Sequence, residues 1–302
     1  MDFDYFLRLF FSGLTRGSIY ALLALGYTMV YGIIKLINFA HGEIYMIGAF
    51  TALIMATVFS FTGMPTLAIL VLSSLVALIY SSAYGFTIEK LAYKPLRKAP
   101  RLSVLISAIG MSLFLQNYVL LAQTSNFLPY PSLLPQVPVP RFLQGIINSQ
   151  QIIIFTTTAV VMVLLTLLIK FTRMGKSMRA TSQDRVMATL VGINVNKVIS
   201  WTFLIGSFTA ALGGILISSF TGQINFYVGF IAGIKAFVAA VLGGIGSIPG
   251  AVLGSLVLGM TESFAAGYLS SVYEDVFAFI ILVLILIFKP SGLLGRPETQ
   301  KV

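Results

Sequence analysis

Long apolar runs, separated by short polar segments, are the feature that most constrains this chain. Each run has about the 20 residues that a helix needs to cross the hydrocarbon core of a bilayer. Only 9% of the 302 residues are charged, against about 25% in soluble proteins, and the dyad alternation of a membrane barrel is absent. We therefore predict an all-α polytopic membrane protein with about eight or nine transmembrane helices in a single domain over residues 1–302. The predicted spans are 11–34, 43–60, 65–88, 103–122, 151–170, 197–220 and 273–289, after an interfacial start at 1–10.

A segment rich in glycine and proline, residues 231–266, interrupts this regular pattern. Gly243, Gly244, Gly246 and Pro249 cluster at its centre, so we predict two short apolar helices, about 231–245 and 248–266, with a break between them. The pair is either re-entrant or crosses the membrane twice. A break at membrane depth lines a polar path in many transporters, although glycine also permits close helix packing alone.

Basic residues predict the orientation of the chain. Segments 89–101 and 170–197 are strongly basic, and Lys and Arg concentrate in cytoplasmic loops. We place both segments in the cytoplasm, which puts the long polar loop 123–150 outside, residues 35–42 inside and the N-terminus outside.

The basic segment around residues 170–193 contains a helix signal. Thr181 followed by Asp184 fits the capping pattern Ser/Thr-x-x-Asp/Glu, and Gly192 suits the residue that ends a helix. Between them, four apolar residues fall on one side of a helix: Val186, Met187, Leu190 and Val191. We predict a short amphipathic helix over roughly 182–191, which serves either as a docking element or as a plain interfacial connector.

Polar residues near membrane depth are candidates for a path or gate. Asn38, His41 and Glu43 follow the first span and form either a solvated turn, a proton relay or a gate. Glu262 lies deep in the second half of the broken segment, and an intramembrane carboxylate is by default a functional candidate. For Lys235, in the first half, we favour a snorkelling or interfacial position. It lies toward the same side as Glu262, so the two residues either face each other or face a vestibule.

Several chemistries are excluded by residue content. The chain has no cysteine and one histidine, so we expect no disulfide, no metal site and no Ser/His/Asp constellation. It also lacks the Gly-x-x-x-x-Gly-Lys-Ser/Thr phosphate loop. We predict a protein that is not an enzyme, has no cofactor and, having no basic soluble face, does not bind nucleic acid.

Four longer motifs stand out at residues 17–43, 175–180, 192–194 and 239–251. They resemble the branched-chain amino acid permease family of bacterial ABC importers, specifically its LivH-type subunit, and the resemblance extends over nearly the whole chain. It implies that the cytoplasmic segment, about 172–196, couples the permease to a separate ATPase. The implied docking residues are Arg179, Ala180, Asp184, Leu190, Gly192 and Ile193.

The resemblance also implies the partners and the location of the chain. We expect a second homologous permease subunit, cytoplasmic ATP-binding subunits and a periplasmic amino-acid-binding protein, together with the lipid of the bacterial inner membrane. The function implied is translocation of branched-chain or related amino acids. The candidates for the path or gate are Asn38, His41, Glu43, Gly243, Gly244, Gly246, Pro249 and Glu262.

Three alternatives remain open at this stage. A permease of the same family could transport urea or short amides, because selectivity rests largely with the binding protein. An ion-coupled secondary amino acid transporter would require a relay of intramembrane carboxylates, and only Glu262 and Glu43 are candidates. A scaffold without transport would not explain the broken segment. The substrate, and whether the permease is a heterodimer or a homodimer, stay undetermined.

Overall fold

The fold is a bundle of apolar helices, as the sequence predicts. The structure, a computed structural model, describes residues 3–97, 99–289 and 291–295. Its α-helices are α1 Phe3–Ile34, α2 His41–Ser60, α3 Thr66–Ile88, α4 Arg101–Ala122, α5 Ser149–Phe171, α6 Arg173–Gln183, α7 Arg185–Leu190, α8 Val195–Thr221, α9 Val228–Gly243, α10 Ile248–Tyr268 and α11 Glu274–Phe288. A π-helical turn, Glu89–Tyr93, extends α3. Within the described residues, eight helical stretches are long and apolar enough to cross a membrane, and α9 is a shorter apolar helix of 16 residues.

The basic segments meet at one end of the bundle, which we call the basic end. There the Arg97 guanidinium donates to Asn196 Oδ1 (2.6 Å), and Arg185 donates to the Ile33 carbonyl (3.0 Å). The loop after α3, the helices α6 and α7 and the last turn of α1 therefore share this end.

Two loop segments pair at the opposite end of the bundle. The strands β1 Leu128–Pro129 and β2 Gln223–Ile224 form an antiparallel ladder. The Tyr130 amide extends the ladder by donating to the Gly222 carbonyl (2.9 Å). This pairing joins loop 123–148 to the connection between α8 and α9.

A seam of small residues packs α1 against α10. The two helices run antiparallel, because Ser263 donates to the Leu9 carbonyl near one end and Gly17 meets Leu256 further along. A Cβ on Gly17 would lie 2.7 Å from Leu256 Cα, and one on Gly13 would lie 2.8 Å from Met260 Cα. Small residues permit such close backbone approach, which is a main source of helix association in lipid.

The helix α2 begins inside the bundle, where the sequence predicted a cytoplasmic turn. His41 is hydrogen-bonded to the backbone of Leu23, which lies 11 residues before the end of α1 at Ile34. At 1.5 Å per residue this places the start of α2 about 16 Å into the bundle from the basic end, roughly half of a 30 Å hydrocarbon core. Residues 35–40, which are not helical, therefore lead back into the bundle.

The helix α9 also begins inside the bundle, against the start of α2. A Cβ on Gly42 would lie 2.8 Å from Gly233 Cα, so the first turns of the two helices touch. Residues 222–227 therefore lead inward from the β-ladder, as 35–40 do from the other end. Irregular backbone at this depth is tolerated only where protein covers it.

The glycine and proline break lies at the basic end of the bundle and not part-way along it. The two halves are separate helices, as predicted, but Gly246 lies beside Gly32 in the last turns of α1. The amides of Leu293 and Leu294 donate to the carbonyls of Leu242 and Gly243, both at 2.9 Å. The segment after α11 therefore covers the break, and the inward irregular segments are 35–40 and 222–227 instead.

The start of the chain differs from the prediction of a separate interfacial segment. From Phe3 onward it belongs to α1, because residues 5 to 9 pack on the far end of α10. Tyr5 donates to the Gly267 carbonyl (2.8 Å), and the Leu9 side chain fills the space beside Gly267.

We predict that Gly17→Val destabilises the bundle. Its Cβ would meet the backbone of Leu256 and Ser255 within 3 Å, and overpacking of this kind costs about 1–3 kcal/mol. The measurement is the midpoint of thermal unfolding in detergent. Gly110→Val on α4 is the control, since a Cβ there meets no described atom within 4 Å, and equal midpoints for the two variants would contradict the seam.

Candidate functional site

The predicted docking helix is two helices joined at Asp184, which corrects the prediction of one helix over 182–191. Asp184 is the N-cap of α7, and its carboxylate accepts from the amides of Val186 (2.8 Å) and Met187 (3.0 Å). Thr181 is buried inside α6, so it is not the cap. Gly192 has φ +85°, a left-handed conformation that glycine adopts without strain, and it ends the turn after α7 as predicted.

The apolar side of α7 projects from the basic end. All four of its predicted residues are exposed, with 75% exposure at Leu190 and Val191. Ala188 on the opposite side is buried, and Ile193 packs against the core. Four adjacent exposed apolar side chains on a charged surface mark an interaction site.

Two arginines anchor the coupling segment, by which we mean α6 and α7 with the connections on either side. Arg179 of α6 donates to the carbonyls of Ile169 and Lys170 at the end of α5. Arg185, the first residue of α7, donates to the Ile33 carbonyl at the end of α1. The segment is therefore hydrogen-bonded to the ends of both spans. The sequence analysis included Arg179 but missed Arg185, because no local pattern shows that a carbonyl 152 residues away is its partner.

A buried ion pair lies beside the coupling segment. Glu89 is fully buried, and its two oxygens accept from Arg97 and from Ser200. Partial burial lowers the pKa of Arg97 and of Arg185, although arginine stays protonated at physiological pH. The pair ties the loop after α3 to the start of α8, since Arg97 also contacts Asn196.

The residues Asn38, His41 and Glu43 lie at or just before the inner start of α2, and we call this group the polar centre. All three are at most 2% exposed. Asn38 Oδ1 accepts from the Tyr93 hydroxyl (3.0 Å), and Glu43 Oε1 accepts from the Ser112 hydroxyl (3.0 Å). Burial at this depth excludes the solvated turn.

One polar atom of each residue in the polar centre is left without a partner. Asn38 Nδ2, His41 Nε2 and Glu43 Oε2 make no hydrogen bond within the described part of the chain. Glu43 Oε2 is directed at the first turn of α9, because a Cβ on Gly229 would lie 2.7 Å from it. A carboxylate near two helix N-termini is favoured by both helix dipoles.

Glu262 and Lys235 face each other, which is one of the alternatives that the sequence left open. Lys235 is buried, which corrects the favoured snorkelling or interfacial position. The Lys235 ammonium lies 3.2 Å from Glu262 and 2.6 Å from Asp275. Tyr20 of α1 donates to the second Glu262 oxygen (2.8 Å), and Arg16 pairs with Glu274 (2.8 Å). This ion cluster joins α1, α9, α10 and α11 and thereby supports α9. Removal of one partner from such a buried pair typically costs about 3–5 kcal/mol.

The glycines of the break do not join the polar centre. Gly243 contacts Gly250 across the turn between α9 and α10, and Gly244 contacts the segment around Gly295. Gly246 and Pro249 are exposed at the basic end. Of the predicted path residues, Asn38, His41 and Glu43 therefore form one group, Glu262 lies in the ion cluster, and the break lies next to the coupling segment.

Comparison with known proteins gives a consistent result over the full chain. The family model described as branched-chain amino acid transport system / permease component matches residues 9–286. The high-affinity branched-chain amino acid transport system permease protein LivH of Salmonella typhimurium is 49% identical over 100% of this chain and 99% of its own length. The corresponding BraD of Pseudomonas aeruginosa is 50% identical over 99% and 98%.

A solved structure gives a more distant match. An ABC transporter described as of metal-chelate type, in an inward-facing conformation, aligns over 92% of this chain and 85% of its own, with a TM-score of 0.49 and 17% identity. That likeness is too low to support an argument. The full-length sequence matches are decisive: this chain belongs to the branched-chain amino acid permease family, whose members are transport components and not enzymes.

Proposed function

We propose that this chain is the membrane-spanning permease subunit of an ABC importer that moves branched-chain amino acids across the bacterial inner membrane. The observation that supports it most strongly is the identity of 49–50% to the LivH and BraD permeases over essentially the full length. The exposed apolar side of α7 adds a structural reason, because a permease without its own phosphate loop needs a surface on which an ATPase can dock. Arg185 anchors α7 to α1, and Arg179 anchors the adjoining helix α6 to α5.

The proposed orientation places the basic end in the cytoplasm, following the positive-inside preference. ATP-binding subunits dock on Leu190 and its apolar neighbours on α7, while Asp184 and Gly192 hold the shape of that helix. A periplasmic amino-acid-binding protein delivers substrate at the opposite end, beside the β-ladder. A second homologous permease subunit completes the membrane part.

The proposed coupling runs from α7 to the polar centre. Arg185 holds the Ile33 carbonyl, and residues 35–40 connect that last turn of α1 directly to His41 at the start of α2. Movement of α7 against the ATPase therefore moves the first turns of α2 and α9 relative to each other. In this proposal the contact between α2 and α9 is the gate, and the break at 244–247 adjusts at the cytoplasmic side.

The first test is uptake of radiolabelled leucine into vesicles that contain this chain with the products of its neighbouring genes. We expect uptake that requires both ATP and the ATPase subunit, because the permease has no ATP-hydrolysing site of its own. Uptake driven by a proton or sodium gradient without ATP would contradict the proposal and favour a secondary transporter. ATP-dependent uptake of urea or a short amide, without uptake of leucine, would refute only the proposed substrate and not the importer function.

A second test addresses the docking surface. Leu190→Asp places a charge on the exposed apolar side of α7, and loss of such a contact typically costs about 2 kcal/mol or more, which is about a 30-fold loss of affinity. We expect the variant to insert normally, to lose co-purification with the ATPase and to lose ATP-driven uptake. Leu190→Met is the matched control and should behave as the natural chain. Retained ATPase binding in Leu190→Asp would show that docking occurs elsewhere.

A third test addresses the gate. Glu43→Gln keeps the size of the side chain but removes a charge that faces two helix N-termini, an interaction of about 1–2 kcal/mol in a buried setting. We expect several-fold slower uptake with normal ATPase co-purification. Ser112→Ala, which removes only the hydrogen bond to Glu43 Oε1, is the control and should have the smaller effect. An unchanged uptake rate in Glu43→Gln would exclude a role for the charge.

A further inference from the structure

A cavity of about 130 Å³ lies at the basic end between the coupling segment and the spans. Its walls come from four parts of the chain: the last two turns of α1, the end of α5, one side of α6 and the turn before α10. Met29, Met178 and Ile248 give it an apolar lining, and the exposed Arg179 and Gly246 lie where it opens. The proposed docking of the ATPase on the apolar side of α7 does not involve this cavity.

One wall holds a buried hydroxyl that lacks a partner. Thr28 lines the cavity and is only 2% exposed, yet its Oγ1 makes no hydrogen bond within the described residues. Other helical threonines of this chain donate to the carbonyl four residues earlier, as Thr15 and Thr202 do. A buried polar group without a partner typically costs about 1–3 kcal/mol, and a ligand in the cavity would remove that cost.

The lining of the cavity also includes a guanidinium that is held by the chain. Arg179 is held by the carbonyls of Ile169 and Lys170 through Nη1. A guanidinium has five N–H donors, and the other two nitrogens make no hydrogen bond with the described part of the chain. Arginine held in this way is suited to bind a carboxylate with two parallel hydrogen bonds.

We propose that this cavity binds a small carboxylate with a short, branched apolar tail, namely the imported amino acid on the cytoplasmic side. The carboxylate pairs with Arg179 at the opening, the tail lies among the methionines and Ile248, and the Thr28 hydroxyl meets the polar part. The size agrees, because an apolar cavity of about 150 Å³ accepts a six-carbon ring and the leucine tail has four carbons.

The position of the cavity gives this binding a regulatory consequence, which rests on the function proposed above. A ligand there contacts α6 on one side and α1 on the other, so it fixes the coupling segment against the spans that the segment must move. The imported amino acid therefore slows its own import when it accumulates in the cytoplasm.

The test uses proteoliposomes that contain the complete transporter with ATP inside and the binding protein outside. Vesicles are preloaded with unlabelled leucine, with its 2-oxo acid or with leucinamide, and the initial rate of labelled leucine uptake is compared with that of unloaded vesicles. We expect leucine and the 2-oxo acid, which both have the carboxylate, to slow uptake several-fold. Leucinamide lacks the carboxylate and should have no effect. Equal inhibition by all three compounds, or inhibition by none of them, would overturn the proposal that the cavity binds a carboxylate.

Two variants localise the effect to the cavity. Gly32→Val extends into the cavity without a backbone clash, since its Cβ would lie 3.8 Å from Gly246 Cα. In this variant, the uptake rate of leucine-loaded vesicles divided by that of unloaded vesicles should approach one. Gly110→Val on α4 should keep the ratio of the natural chain. An unchanged ratio in Gly32→Val would refute the proposal.

A binding measurement separates this proposal from the proposed function. Equilibrium dialysis of labelled leucine against the purified complex, without the binding protein, detects the cavity even if no uptake occurs. ATP-dependent uptake of leucine into unloaded vesicles, together with no leucine binding in dialysis and no inhibition by preloaded leucine, would refute the cavity site alone. Binding that Gly32→Val abolishes, together with no ATP-dependent uptake, would instead refute the proposed function alone.

Discussion

Backbone polar groups inside a membrane need partners, and this requirement decides how the bundle is built. The helices α2 and α9 both begin inside it, which leaves the amides of two first turns without helical partners. Lipid cannot satisfy them, so protein must surround these starts. Gly26 of α1 and Gly206 of α8, which lie against His41, and the contact between Gly42 and Gly233 provide that cover.

The same inward segments connect the two groups of candidate residues. Residues 35–40 run from the Arg185-bound end of α1 to His41, and α9 has the polar centre at its start and Lys235 of the ion cluster further along. The ion cluster fixes α9 to α1, α10 and α11, while Glu43 Oε2, which faces the first turn of α9, makes no hydrogen bond within the described residues. This difference in bonding between the first turn and the middle of α9 is the physical reason for placing the proposed gate at the contact between α2 and α9.

Local sequence patterns predicted individual helices and turns well when the physical cause of those features was itself local. Run length gave the spans, the one-sided spacing of Val186 to Val191 gave an exposed apolar surface, and Gly192 has the left-handed φ expected of it. The capping pattern was misassigned, because Thr181 and Asp184 each satisfy a cap preference, and only the packing of α6 shows that Thr181 lies inside a helix.

The sequence by itself determined that this chain is a polytopic α-helical membrane protein with a basic end, an amphipathic coupling segment and a broken glycine-rich region, since these follow from hydropathy and short-range spacing. Tertiary structure alone decided depth and partnership: that His41 lies beside Leu23, that the break at 244–247 lies next to α6, and that Arg185 holds Ile33. Hydropathy reports how long a segment is and not how far into the bundle it reaches, and partners more than a hundred residues apart leave no local pattern.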